Sequence, residues 1–226
     1  MRIGTQAVAV GSIQTQKQLA VIANNIANVN TPGFKKEVMH FQNFVSQSTH
    51  TKWDQGHIRQ TDNPFDIALV GDGLLKIQTT DGIRYTRAGN LTLSKDNTLV
   101  TQHGYPVLGK TGPIQLTNKT IRIDENGQVF DGEQSVATLD LARFGSETTL
   151  IREKGGLVKP ANDTDPVLKA DACTVRQNCL EGANFDLVEE MTNMVETMRI
   201  YEAHQKAYKT GAKDLDSELI SKLGGT

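Results

Sequence analysis

The residues best suited to chemistry sit in short polar clusters, and each cluster falls short of a working set. Asp124-Glu125-Asn126-Gly127 offers the oxygens of a calcium loop, but Arg122 occupies the first ligand position and Phe130 stands where further oxygens are needed. A hairpin turn accounts for it better. Gly71 and Gly73 begin a G-x-G, yet Lys76 replaces the third glycine of a phosphate-cradling loop. Lys110-Thr111-Gly112 matches one box of the penicillin-recognising enzymes, while no S-x-x-K supplies a nucleophile. His40, His50, His57, His103 and His204 show no ligand spacing. Cys173 and Cys179 are the only cysteines, too few for a disulfide framework or a closed zinc site; they are free thiols or one local disulfide in an oxidising compartment. The expectation is no catalytic residue, no metal and no cofactor.

The elements around these clusters point to packing instead. With 24 Lys and Arg against 26 Asp and Glu, there is no basic surplus for nucleic acid. The longest apolar runs, such as Asp66 to Ile77, are broken well short of the roughly 20 residues a membrane span needs. Met1 to Val10 lacks the apolar core and cleavage site of a secretory signal, so export, if it occurs, is expected to use another route.

Composition divides the chain into three zones. Met1 to Phe34 is rich in Gln and Asn, with Arg2 and Lys17 its only charges. From about Asp62 to Ala172, short alternating runs surround Asp81-Gly82, Asp96-Asn97 and Asn126-Gly127, which predicts a succession of antiparallel hairpins. From about Asn184 to Leu223 the chain returns to helix. Leu187, Met191, Met194, Met198, Tyr201, Gln205, Tyr208, Ala212, Leu215 and Leu219 follow at alternating steps of four and three, a heptad seam broken only by Gln205. Asp186 and Glu189 have capping-box spacing at its start.

Leu19, Ile22, Ile26 and Val29 repeat the same spacing in the first zone. The fold class expected is therefore α+β: N- and C-terminal helices pairing as a coiled coil, with a mainly antiparallel all-β body between them. The alternative is two amphipathic helices packed on the sheet. The expected division is 1–36 plus 183–226 as the helical polymerisation domain, 37–61 as a connector and 62–182 as the β-rich outer domain.

Asn24 and Asn28 lie about opposite the apolar seam at 100° per residue, with Asn25 on the flank. Asparagine is a poor helix former, so a face that met only water would carry Lys and Glu. A second buried contact explains it, because an amide carries donors and acceptors without the cost of a buried charge. The occupant expected is another copy of the chain; the alternative is that these amides are exposed and merely local. Thr31-Pro32-Gly33 ends the helix, and Phe34 with the pair Lys35 and Lys36 lies past the break.

These residues also carry a family likeness. "LAVIANNIANVNTPGFKK" resembles the N-terminal signature of bacterial flagellar rod and hook proteins, and "NCLEGANFDLVEEMTNMVETMRIYEAHQKAY" is similar to their C-terminal one. "DNPFDIALVGDGLLKIQTTDGIRYTRAGNLTLSKDNTLVTQHGYPVLG" resembles their β-domain core. The resemblance implies a structural subunit of the basal-body rod, assembling helically with copies of itself and neighbouring rod and hook proteins into a hollow shaft that transmits torque. It further implies a periplasm-crossing location and export by the flagellar type III apparatus without a cleaved signal. Leu19, Ile22, Ile26 and Val29 would pack on Leu187, Met191, Met194, Met198, Tyr201, Tyr208 and Leu215. Asn24, Asn25 and Asn28 would meet adjacent subunits, and Pro32, Gly33 and Phe34 would form the break. The short connector favours a proximal over a distal rod or hook-type subunit. A secreted β-domain binding module is the alternative from another class.

Overall fold

The computed structural model describes residues 2–41, 47–117, 121–145, 148–162, 165–170 and 172–223, with side chains described for the same set less 2–5, 41, 47 and 212–223. Two long helices bracket the chain, α1 (Arg2–Ala27) and α2 (Leu187–Leu223), and every strand pairing between them is antiparallel. The chain divides into two compact units, 1–29 with 36–52 and 185–226, and 30–35 with 53–184. The connector expected at 37–61 is thus shared: 37–52 belongs with the helices and 53–61 with the β body.

In the helical unit α1 and α2 lie side by side and antiparallel. Asn25 meets Glu190 at one end of the contact. Fourteen residues away on each helix (25 − 11 and 204 − 190), Gly11 lies beside His204, where an added Cβ would come within 3.0 Å of the imidazole. Next to this, Gln205 donates to the Ser12 hydroxyl at 3.1 Å. Asp186 caps α2, its Oδ1 accepting from the amides of Val188 (2.7 Å) and Glu189 (3.2 Å), as the sequence spacing predicts. After α1 the chain forms a hairpin of β1 (Glu37–Phe41) and β2 (Gln47–Thr51), with Glu37 opposite Thr51.

In the β unit the strands begin with β3 (Ile58–Gln60), β4 (Ile67–Val70), β5 (Leu74–Thr79) and β6 (Gly82–Thr86). β5 and β6 form the middle of a six-stranded sheet, flanked by Leu157–Pro160 and Leu150–Arg152 on one side and by Leu141–Arg143 and Leu168–Lys169 on the other. A three-stranded sheet runs from Ile121 to Thr138. Alternation places Leu75 and Ile77 inward, where they join Ile67, Leu69, Leu99 and Val129 in one buried core. The loop of Asp124 to Gly127 is a turn built by its own carboxylate: Asp124 Oδ1 accepts from the amides of Asn126 (3.0 Å) and Gln128 (2.7 Å).

Candidate assembly site

The asparagine of the first helix that matters most to the chain's own fold is Asn25, which is fully buried. Its Nδ2 donates to Glu190 Oε1 on α2 at 2.7 Å and to the Glu37 carbonyl at 2.9 Å, while its Oδ1 accepts from the Glu37 amide at 3.0 Å. One side chain therefore satisfies both backbone groups of a strand residue and a carboxylate on the other helix. Glu190 is itself 1 % exposed. A carboxylate so deep is tolerable only when paired, and Lys36 Nζ lies 2.5 Å from its Oε2. Asn25, Lys36, Glu37 and Glu190 thus form a polar joint of α1, β1 and α2.

This corrects the expectation for Asn25. It does not face a neighbouring subunit, because the chain's own β1 and α2 consume its hydrogen-bonding capacity. Asn24 is exposed, and Asn28 is half-buried with its amide donating back to the Asn24 carbonyl at 2.9 Å. On the apolar side of α1, Ile22 is buried while Leu19, Ile26 and Val29 are half-buried.

The expected seam on α2 also needs correction. Met194 and Tyr201 are half-buried, but Leu187, Met191, Met198 and Tyr208 are exposed. Leu215 lies outside the described side chains. Buried instead are Glu190 and Thr197, with Asn193 and His204 half-buried along the same line. Thr197 satisfies its hydroxyl on the Asn193 carbonyl, and Thr15 on α1 does the same on Gly11, so neither needs a partner across the helix pair. At 100° per residue the exposed row Val188, Met191, Val195 and Met198 lies about 150° around α2 from this polar line. The signal for it was present in the small residues Gly11, Ser12 and Thr15, which let another helix approach closely.

A second polar joint lies within the β unit, where the helix break is docked. Gly33 takes φ +68°, and a Cβ there would lie 2.5 Å from the Arg87 carbonyl, so glycine is required on both counts. Its amide donates to the Glu181 carbonyl at 2.8 Å. Phe34 is buried, with the Arg152 guanidinium 4.5 Å over its ring. Lys35 is buried too: its ammonium donates to Glu181 Oε1 at 2.6 Å and to the Asp54 carbonyl at 2.8 Å. Glu181 also accepts from Arg87 Nε at 2.5 Å and from the Gly56 amide at 2.8 Å. Desolvation lowers the Lys35 pKa, against the opposing pull of the Glu181 carboxylate.

Among the described residues no helix is long and apolar enough to cross a membrane, and no cluster of three or more His, Cys, Asp or Glu could hold a metal ion. Three family models match the chain in order. Residues 9–35 match "Flagella basal body rod protein", 68–130 match "Flagellar hook protein FlgE/F/G D1 domain", and 176–221 match "Flagellar basal body rod FlgEFG protein C-terminal". Among curated relatives, the flagellar basal-body rod protein FlgF of Caulobacter vibrioides is 30% identical, with 92% of this chain and 93% of the relative covered. The rod protein FlgG of Bacillus subtilis is 32% identical over 91% and 93%, and FlgF of Escherichia coli 31% over 85% and 87%.

Proposed function

This chain belongs to the flagellar basal-body rod protein family, and on that premise we propose that its structural role in the rod is performed by its two helices. The chain is a structural subunit of the flagellar basal body. In the finer reading, α1 and α2 pair as a coiled coil and polymerise as the inner layer, and the β unit forms the outer layer. The function is mechanical: torque passes through packed helices and no covalent step occurs. Neighbouring rod and hook proteins and the type III export apparatus are the partners, and the subunit spans the periplasm without a cleaved signal. The short segment 37–61 favours the proximal rod.

One observation carries this reading. A row of apolar side chains on α2, Met191 of the expected seam among them, is turned outward, with Val188 73 %, Met191 54 % and Val195 50 % exposed. Apolar residues repeating at helical spacing on an exposed face mark a protein contact. With Asn24 on α1, they are the groups that adjacent subunits meet. The test is to delete the gene and isolate basal bodies: rods should be absent or truncated and return with a plasmid copy. Intact rods in the deletion strain would refute the role.

A further inference from the structure

Two patches of opposite charge occupy different faces of the helical unit. The first is a groove of about 300 Å³ between α1, β1 and α2, whose walls carry three glutamates (Glu37, Glu190, Glu196) against one lysine, Lys36. Lys36 is already matched by Glu190, so the groove keeps a negative excess. Glu196 and Ile200 are exposed at its rim, and buried Ile22 with half-buried Val21 supplies an apolar floor. The second patch is a row on α2 with three cations, Arg199, Lys206 and Lys209, against Glu202. Lys206 and Lys209 are exposed and make no ion pair among the described residues.

The two lysines of the basic row cannot reach Glu196 within one molecule. Lys206 is ten residues from Glu196, about 15 Å along the helix axis, and points roughly 80° away around it. The basic row instead continues the line of the exposed apolar residues Val188, Met191, Val195 and Met198. One face of α2 therefore offers apolar side chains followed by cations, and the groove offers an apolar floor with an acidic rim.

We infer that the groove between α1, β1 and α2 of one copy receives the Lys206–Lys209 row of α2 from a second copy, in a head-to-tail contact. This rests on the self-assembly reading above and gives it a direction. Because the two surfaces are different patches on different faces, the contact is heterologous, and repeating it builds a ring or an open helical stack rather than a two-fold dimer. The groove has room for a few side chains and not for a helix backbone, so the neighbour's helix lies along its mouth and inserts its row. Opposite charges fix which row enters, since like charges placed together there repel strongly.

The test uses purified full-length protein and light scattering with sedimentation velocity. Glu196→Lys alone, and Lys206→Glu with Lys209→Glu, should each raise the concentration needed for assembly by about tenfold or more. An equimolar mixture of the two variants should assemble like the wild type, because each mutant groove then meets a mutant row. A single chain with all three changes should also assemble with itself, which shows that the substitutions leave the fold intact. Wild-type assembly that ends at dimers, single variants that assemble normally, or a mixture that stays dispersed would each overturn the head-to-tail pairing and leave the self-assembly reading standing. A wild type that does not associate at any concentration, or with purified neighbouring rod subunits, would overturn both.

Discussion

Asn25 and Glu190, 165 positions apart in sequence, are joined by a 2.7 Å hydrogen bond that no solvent reaches. The bond ties the two ends of the chain at a single point, and the second Glu190 oxygen is held by Lys36. A buried polar contact of this kind penalises every register of two helices but one, since sliding either would strand an amide or a carboxylate in an apolar setting.

Asn25→Leu should therefore loosen the helical unit rather than strengthen it. The Glu37 backbone groups and the Glu190 carboxylate lose their partner, at about 1–3 kcal/mol for each buried group left unmatched. Amide exchange along α1 should accelerate, while the urea transition of the β unit, followed through Trp53, should keep its midpoint. Unchanged protection of α1 would contradict the assignment.

Asn28→Lys tests the outward amides. Asn28 is half-buried and its amide donates back within its own turn of α1, so the β unit should fold as in the wild type. A charge introduced into a subunit contact should nonetheless stop rod growth. Swimming halos of normal diameter in soft agar would show that this face meets no neighbour.

Gly33→Ala should destabilise the β unit by at least about 2 kcal/mol, because it combines a left-handed backbone with a clash against the Arg87 carbonyl. Urea denaturation monitored by Trp53 fluorescence reads the shift directly. Gly104, also at positive φ but with no atom within 4 Å of an added Cβ, provides the comparison, and its alanine variant should lose less.

Lys35 gives the β unit a pH signature in the alkaline range. Burial lowers its folded-state pKa below the ordinary 10.5 that the unfolded chain retains. Between those two values the unfolded chain binds more protons than the folded one, so stability should rise with pH across that window and level off above 10.5. Lys35→Met should flatten this rise. Unfolding midpoints of the two proteins measured from neutral to alkaline pH would settle the sign, and a parallel dependence in both would exclude Lys35 as its source.

The hairpins and helices were legible because their signals are local. Asn126-Gly127 forms its turn from φ preferences and one carboxylate two residues before Asn126, and Asp186 caps the helix that begins beside it. The joints were not legible, for the opposite reason. Lys35 and Lys36 read only as a basic pair past the helix break, and their partners Glu181 and Glu190 lie about 150 positions on and are supplied only by tertiary packing. The helix seam misled in the same way. A heptad of Leu, Met and Tyr identifies an apolar face without saying whether the occupant is the same chain, and here small and polar residues take the intrachain contact.

The Glu181 joint also brings the ends of the β unit together. Its carboxylate gathers Lys35, Gly56 and Arg87, its backbone accepts from Gly33, and β3 pairs with Cys179–Glu181, so both ends leave through a single doorway. A unit whose ends meet can be treated as a cassette. A fluorescent or affinity module with equally close termini could be grafted at that threshold, marking each subunit without stretching the polypeptide on either side.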